Sequence, residues 1–378
     1  MADRTVKIAL ITGYLGAGKT TLLNHILSNE EGIRAAVIVN DIGEINVDAS
    51  LIERGGVVAQ VEDNLVPLTN GCICCTLADD LARQLTDLAE SGNFDYIIIE
   101  ASGICEPIPI AFTIDNFCRQ ESARGVNIVL DNIIAVVDCA RMYDEFAGGN
   151  DLLKEDIDEE DLEALLIQQI EFCTTLVLNK VDTVTPEQVA ELAAIVRSLQ
   201  KDAKIVEATQ GNVDLDDLLN TGRFDFNVAY ESAAWMDAME HPEEHDDPEV
   251  LEYDITTFVY ERRKPFNLAS LEKFVQGWPK SIIRAKGLSW LADNNAMAYV
   301  FEQAGKQVHL TENGMWVATA PESDFKMIVA ENPEVLDDWD DEVGDRMTKI
   351  CFIGRGMDKD AIIAGLDACL VPYIPDED

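Results

Sequence analysis

Up to residue 225 the chain alternates short, continuous apolar runs with stretches whose apolar residues recur every three or four positions. Val6–Thr12, Ala35–Asn40, Tyr96–Glu100, Ile133–Asp138 and Leu176–Asn179 are runs of the kind that parallel sheets bury on both faces. Between them, Thr20–Ser28 sets Leu22, Leu23, Ile26 and Leu27 on one helical face, and Leu77–Glu90 keeps Leu77, Leu81, Leu85 and Leu88 in helical phase. This alternation predicts a layered α/β domain with a mostly parallel sheet.

Two stretches interrupt the pattern. Residues 142–163 are rich in acid, from Asp144 and Glu145 to Asp161 and Glu163, and read as a solvated insertion. The second break, Ser232–Glu249, holds His241-Pro-Glu-Glu-His245-Asp-Asp-Pro and marks a linker. The resulting division is a first domain over 1–225, an acidic linker over 226–249, a smaller α+β domain over 250–372 and an acidic tail over 373–378. In that second domain Val250–Val259, Ser281–Leu291, Ala298–Glu302, Gln307–Leu310, Met315–Ala318 and Lys349–Ile353 read as strands. Leu268–Gln276 and Asp358–Leu370 read as helices.

Composition narrows the function classes. At ~150 residues per domain, 378 residues make about two domains. Lys and Arg total 28 against 71 Asp and Glu, a formal net charge of −43. Such a balance argues against nucleic acid and against anionic membrane as partners, since both need a basic face. Hydrophobic content of 47% supports ordinary cores beneath the acid. The apolar run near the start, Val6–Ile11, is far shorter than the ~20 residues of a spanning helix, so a cytoplasmic location is expected. In that reducing compartment the nine cysteines are expected as thiols, available as ligands or catalysts.

The sharpest chemical signal is Gly13-Tyr-Leu-Gly16-Ala17-Gly18-Lys19-Thr20, which fits G-x-x-x-x-G-K-[ST] between a strand and a helix. Glycines there let backbone N–H groups turn inward as an anion nest. Lys19 would reach the β- and γ-phosphates, and the Thr20 hydroxyl would ligate Mg²⁺. Ile97-Ile-Ile-Glu100 ends a strand in an acid that can hold Mg²⁺ through water, and Gly103 can offer its N–H to the γ-phosphate. A buried strand ending in a capping acid would look the same. Asn179-Lys180-Val-Asp182 follows another strand and has the form that reads guanine. In that form Asp accepts from N1–H and the exocyclic amine, Asn contacts the base edge and the Lys stem covers the ring. Thr209 opens a further loop suited to the base.

Asn70-Gly71-Cys72-Ile-Cys74-Cys75 places three thiols just before a helix, where thiol pKa values fall and thiolates become available to metal. A run of small buried apolar residues and a redox pair are the other readings of this cluster. Cys105 follows the Glu100 strand and can face the same site, while Cys118, Cys139, Cys173, Cys351 and Cys369 lie mostly in apolar runs. His241 and His245 belong to the acidic linker, as weak ligands or as solvated side chains.

Taken together the motifs resemble the CobW-like family of P-loop GTPases (SIMIBI class), which includes metallochaperones. The resemblance rests on Gly13 through Lys19, Thr20 and Thr21, on Asp41-Ile-Gly-Glu44 with Val47-Asp48, and on Cys72-Ile-Cys-Cys75. Glu100-Ala-Ser-Gly103 with Pro107, and Asn179-Lys-Val-Asp182, extend it. Arg263-Lys-Pro-Phe266, Trp278-Pro279, Arg284-Ala-Lys-Gly287 and Ile353-Gly-Arg355 are similar to the family's C-terminal domain. Three departures stand out: Val39 stands before Asn40 and Asp41 where the family often has a first acid, Ala101 and Ser102 replace two threonines, and the His-rich linker is reduced to His241 and His245.

The resemblance implies GTP/GDP and Mg²⁺ as ligands, with Lys19, Thr20 and Glu100 catalytic and Thr20, Asp41 and Glu100 around Mg²⁺. It implies Zn²⁺ or Co²⁺ as cargo on Cys72, Cys74, Cys75 and Glu44. A client metalloprotein or metal-requiring enzyme would receive that cargo, and a homodimer is left open. GTP is expected to order Asp41–Asp48 and complete the metal geometry, and hydrolysis to loosen it. No glutamine presents itself to position water, so slow intrinsic turnover is expected. The alternatives are a GTPase maturation factor whose cysteines are structural, and a metal buffer without catalysis.

Overall fold

The computed structural model describes residues 5–28, 32–39, 65–67, 78–103, 106–123, 127–146, 160–231, 233, 235–236, 239, 253–304, 307–336 and 339–374. They fall into two compact units, Met1–Ala233 and Ala234–Asp378.

The first unit is built on strands β1 (Val6–Thr12), β2 (Ala35–Val39), β3 (Leu65–Pro67), β4 (Tyr96–Glu100), β5 (Ile128–Asp138), β6 (Thr175–Asn179) and β7 (Lys204–Ala208). Their order is β3-β2-β4-β1-β5-β6-β7, and every pairing is parallel. Around them run helices α1 (Lys19–Leu27), α2 (Ala78–Ser91), α3 (Pro107–Ala123), α4 (Cys139–Phe146), α5 (Glu160–Glu171), α6 (Pro186–Leu199) and α7 (Phe226–Glu231). Successive strand residues face opposite sides. Ile8 and Leu10 of β1 pack with Leu81, Leu85, Ile110 and Ile114 of α2 and α3, whereas Ala9 and Ile11 pack with Leu22, Leu23 and Ile26 of α1. Both faces are therefore covered, which is why these strands read as unbroken apolar runs.

Strand β1 lies between β4 and β5, so the loops leaving its neighbours diverge to either side. In such sheets the crevice outside the carboxyl ends is the ligand site. The register aligns those ends: Ile11 with Glu100, Thr12 with Ala135, and Asp138 with Asn179.

Strand β5 begins five residues before the expected Ile133, because its polar residues find partners that the local pattern does not display. The Asp131 carboxylate accepts from the Tyr96 hydroxyl, from Thr221 N–H and Gly222 N–H at 2.9 Å each, and lies 3.5 Å from Lys7 Nζ. The Asn132 carbonyl oxygen accepts from Thr174 and Thr175, and its amide donates to Leu218 O at 2.8 Å. Burial alone would raise the Asp131 pKa; the Tyr96, Gly222 and Thr221 hydrogen bonds and Lys7 outweigh it and hold it below the usual carboxylate range. A depressed folded-state pKa gives stability that is present above the unfolded pKa and is lost as pH falls through the folded one. Asp131→Asn is expected to cost roughly 2–4 kcal/mol in urea unfolding at pH 7, with the gap closing below about pH 4. An undiminished gap at low pH would contradict the assignment.

Three segments depart from the expected boundaries. Met142, expected in the solvated insertion, is buried in α4; residues 147–159 lie outside the described residues. Within the expected linker, α7 packs on the first unit, with Phe226 edge-on to Phe112 at 5.7 Å and to Phe172 at 5.9 Å. At the expected acidic tail, the Tyr373 ring sits 5.1 Å from Trp290, and Asn295 donates to Ile374 O.

The second unit is an antiparallel sheet of β8 (Ile255–Arg262), β9 (Ile282–Trp290), β10 (Met297–Ala304), β11 (Gln307–Met315) and β12 (Thr348–Arg355), ordered β11-β10-β9-β12-β8. Helices α8 (Leu268–Val275), α9 (Glu322–Glu331) and α10 (Lys359–Asp367) complete it. Leu271, Ile362 and Leu366 cover Tyr260, Phe301, Ile350 and Phe352. The expected strand Met315–Ala318 is instead a strand end followed by a 3₁₀ turn, Val317–Thr319. The Asp345 carboxylate takes the Val317 and Ala318 N–H groups at 2.7 and 2.8 Å, which turns the backbone out of the sheet.

Candidate functional site: a phosphate loop braced at the carboxyl edge of the sheet

The phosphate loop occupies the end of β1. Gly18 takes φ 108°, ψ 22° at the start of α1, a left-handed conformation that glycine adopts without Cβ strain. A Cβ there would also collide with the Asn179 side-chain amide, so position 18 is fixed as glycine twice over. Lys19 is 7% exposed, and its ammonium donates to Gly13 O at 2.8 Å and Tyr14 O at 3.3 Å, folded over its own loop. Thr21 is exposed beside it, and Ala17 is buried beneath.

Glu100 ends β4 and is 2% exposed, yet its Oε1 accepts from the Thr20 hydroxyl in the first turn of α1 at 3.1 Å. A hydroxyl and a buried carboxylate brought this close form an oxygen donor pair of the type that holds a hydrated Mg²⁺. Gly103 follows, buried against Leu15 of the phosphate loop. Asp41, the other expected acid, lies outside the described residues, as does Glu44.

Around the far side the geometry adds something the motif reading does not contain. Asn179 is buried, and its amide group does not point to open space. Its Nδ2 donates to Ala17 O at 2.8 Å, and its Oδ1 accepts from Gly211 N–H at 3.1 Å. Expected at a base edge, Asn179 instead ties the phosphate loop to the loop after β7. Gly211, at φ 67°, sits so close to α1 that a Cβ would fall 2.8 Å from Leu22 N. Thr209 is exposed at the start of that loop, bridged to Asn212. Lys180 crosses the phosphate loop, with Nζ 2.7 Å from Gly16 O and 2.6 Å from Asp138 Oδ2. Asp182 stands exposed in the 3₁₀ turn Val181–Thr183.

The structure thus gathers Gly13–Thr21, Glu100, Gly103, Asn179, Lys180, Asp182 and Thr209 around one edge of one sheet. Asp138 and Arg141 join them unforeseen, the Arg141 guanidinium lying 4.0 Å from the centre of the Tyr14 ring. A signal for Asp138 was available, since β5, like β4, ends in an acid.

Cys72, Cys74, Cys75, Cys105, His241 and His245 lie outside the described residues. Among the described residues no group of three or more His, Cys, Asp and Glu is arranged to hold a metal ion. Cys118, Cys139, Cys173, Cys351 and Cys369 are all buried and in no disulfide. Burial pushes Cys118, Cys139 and Cys173 up to about 12, reinforced at Cys139 by the charges of Asp138, Glu207 and Asp182. Thiols held protonated in this way are poor metal ligands. No helix among the described residues is long and apolar enough to cross a membrane.

Comparison with known proteins assigns both parts of the chain to a family. Residues 7–207 match the nucleotide-binding domain of CobW/HypB/UreG, and residues 255–370 match the cobalamin synthesis protein cobW C-terminal domain. The zinc-regulated GTPase metalloprotein activator 1 of Dictyostelium discoideum is 34% identical over 96% of this chain and 79% of its own length. The zinc chaperone CobW of a Sinorhizobium species is 34% identical over 68% of this chain and 73% of its own length. The zinc chaperone YjiA of Escherichia coli K12 is 28% identical over 87% of this chain and 95% of its own length. With both domains present in order, the chain belongs to the CobW/HypB/UreG family of GTPases, in the branch that carries the CobW C-terminal domain.

Proposed function

We propose that this family member hydrolyses GTP to control a transition metal, zinc in the first place and cobalt as a second cargo, which it hands to a client metalloprotein. The observation that carries the reading is the convergence of Lys19, the Thr20–Glu100 pair and the Asn179–Asp182 segment on one sheet edge. In this reading the N–H groups of the loop and Lys19 hold the phosphates, and Asp182 accepts from the guanine edge. Thr20 and Glu100, with Asp41, would hold Mg²⁺, which when bound neutralises charge on the β- and γ-phosphates. Gly103 offers its N–H towards the γ-phosphate.

The cargo site is assigned to Cys72, Cys74 and Cys75 with Glu44. Soft thiolates suit zinc and cobalt, and a mixed thiolate–carboxylate set leaves room for a donor from the client. The names of the relatives, two zinc chaperones and a zinc-regulated activator, support zinc. So does the chemistry of the remaining thiols, since the described cysteines are buried. Strand register supports proximity. Pro67 of β3 aligns with Val39 of β2, and Val39 with Glu100. The chain therefore leaves β3 at the edge that carries the nucleotide residues.

The triple variant Cys72→Ser, Cys74→Ser, Cys75→Ser is expected to lose tight zinc, at least about a hundredfold in affinity, given the strength of thiolate sites. Its GTP affinity should stay within about threefold, because none of these residues holds phosphate in this reading. Full zinc binding and client activation by the triple variant would instead make the cysteines structural.

A further inference from the structure

Asp138 closes β5 beside the phosphate loop, and neither the motif pattern nor the reading above gives it a task. Its two carboxylate oxygens face different ways. Oδ1 accepts from Arg141 N–H at 3.3 Å, in the first turn of α4. Oδ2 meets Lys180 Nζ at 2.6 Å, and the same ammonium donates to Gly16 O at 2.7 Å. The Lys180 backbone is left-handed, φ 61° and ψ 36°, a conformation uncommon for a residue with a side chain. That turn sends the side chain back across the phosphate loop, where carboxylate and carbonyl grip its end. The ion pair is partly shielded, with Asp138 19% and Lys180 36% exposed at the side chain.

We propose that Asp138 is a positioning residue for the purine: by fixing the Lys180 ammonium it holds the four-carbon stem as a flat apolar wall for the base. The inference rests on the guanine reading of Asn179–Asp182 given above. A lysine stem has several freely rotating bonds, so an unheld stem must lose that freedom each time nucleotide binds. A stem already pinned at its end has lost it beforehand, and the saving appears as affinity. Charge matters to the grip in a way it does not matter to the helix start. Asparagine caps a helix as well as aspartate does, but it carries no charge for the ammonium.

The test is a cycle in the full chain of Asp138→Asn, Lys180→Met and the double variant, with GDP and ADP affinities by calorimetry and steady-state GTP hydrolysis. Asp138→Asn is expected to weaken GDP about tenfold and to raise KM with kcat nearly unchanged, and to add no further loss on top of Lys180→Met. If Asp138 serves only to start α4, Asp138→Asn leaves GDP affinity intact, or the two losses add; either result overturns the proposal. Should Asp138→Asn fail to fold by circular dichroism, Asp138→Ser, also a capping residue, takes its place under the same criteria. Wild type that binds ADP as tightly as GDP overturns the guanine reading and this proposal with it. A guanine preference kept alongside zero coupling overturns this proposal alone.

Discussion

Lys19→Ala is expected to lower kcat/KM for GTP by about 10²–10³, equivalent to roughly 3–4 kcal/mol of lost charge stabilisation at the phosphates. The size follows from where the ammonium stands. It is almost wholly withdrawn from water and is held by two carbonyls of its own loop, Gly13 O and Tyr14 O. A cation kept in place this way loses little orientational freedom when phosphate arrives, and it acts at close range in a shielded site. Alanine removes the charge but leaves the glycine turn and the Asn179 brace intact, so the fold should survive. Phosphate release and GDP titration on the same preparation separate the two effects. Hydrolysis within threefold of wild type would mean that Lys19 does not touch the reacting phosphates.

Asp182→Asn is expected to exchange guanine for xanthine. An exposed carboxylate in a 3₁₀ turn can be replaced without cost to the core. What changes is the pattern at the base: carboxylate accepts from N1–H and the exocyclic amine, whereas an amide also donates, and xanthine offers a carbonyl where guanine has the amine. Sites that use such paired hydrogen bonds reject the mismatched analogue strongly, so GTP affinity should fall roughly a thousandfold. Xanthosine triphosphate affinity should rise in step. Direct calorimetric titration of wild type and variant with GDP and with xanthosine diphosphate reads both. A variant that keeps its GDP affinity would remove Asp182 from the base site.

The legible parts of the fold and the site share one property: their signals are local. Strand β1 falls at Val6–Thr12 and β4 at Tyr96–Glu100 as expected, because buried parallel strands are unbroken apolar runs. The phosphate loop, Glu100 and the Asn179–Asp182 segment were legible for the same reason, each being a short pattern at a strand end. What escaped depends on distant partners. Asp131 and Asn132 look like the end of an apolar run, yet Tyr96, the 221–222 backbone and the 174–175 hydroxyls satisfy them within β5. Helix α3 opens on Pro107 and Pro109, residues that would break a helix interior but that its first turn tolerates, so it has no plain local signal. Asp345 bends the chain at Val317 from nearly thirty positions away. Within the site, the identity of Asn179 was visible but its task was not: the amide spans the Ala17 carbonyl and the Gly211 N–H, groups 162 and 32 positions distant in the chain. Asp138 was passed over because its meaning lies in Lys180, a residue on the neighbouring strand's loop.

The proposed function couples phosphate occupancy, at the sheet edge carrying Lys19 and Glu100, to the grip on zinc. Zinc affinity of the intact protein, measured by competition with a chromophoric chelator in the presence of a non-hydrolysable GTP analogue and then of GDP, addresses that link directly. Binding about tenfold or more tighter is expected in the triphosphate state, a coupling within the usual range for linked sites. Equal zinc affinity in the two nucleotide states would contradict it.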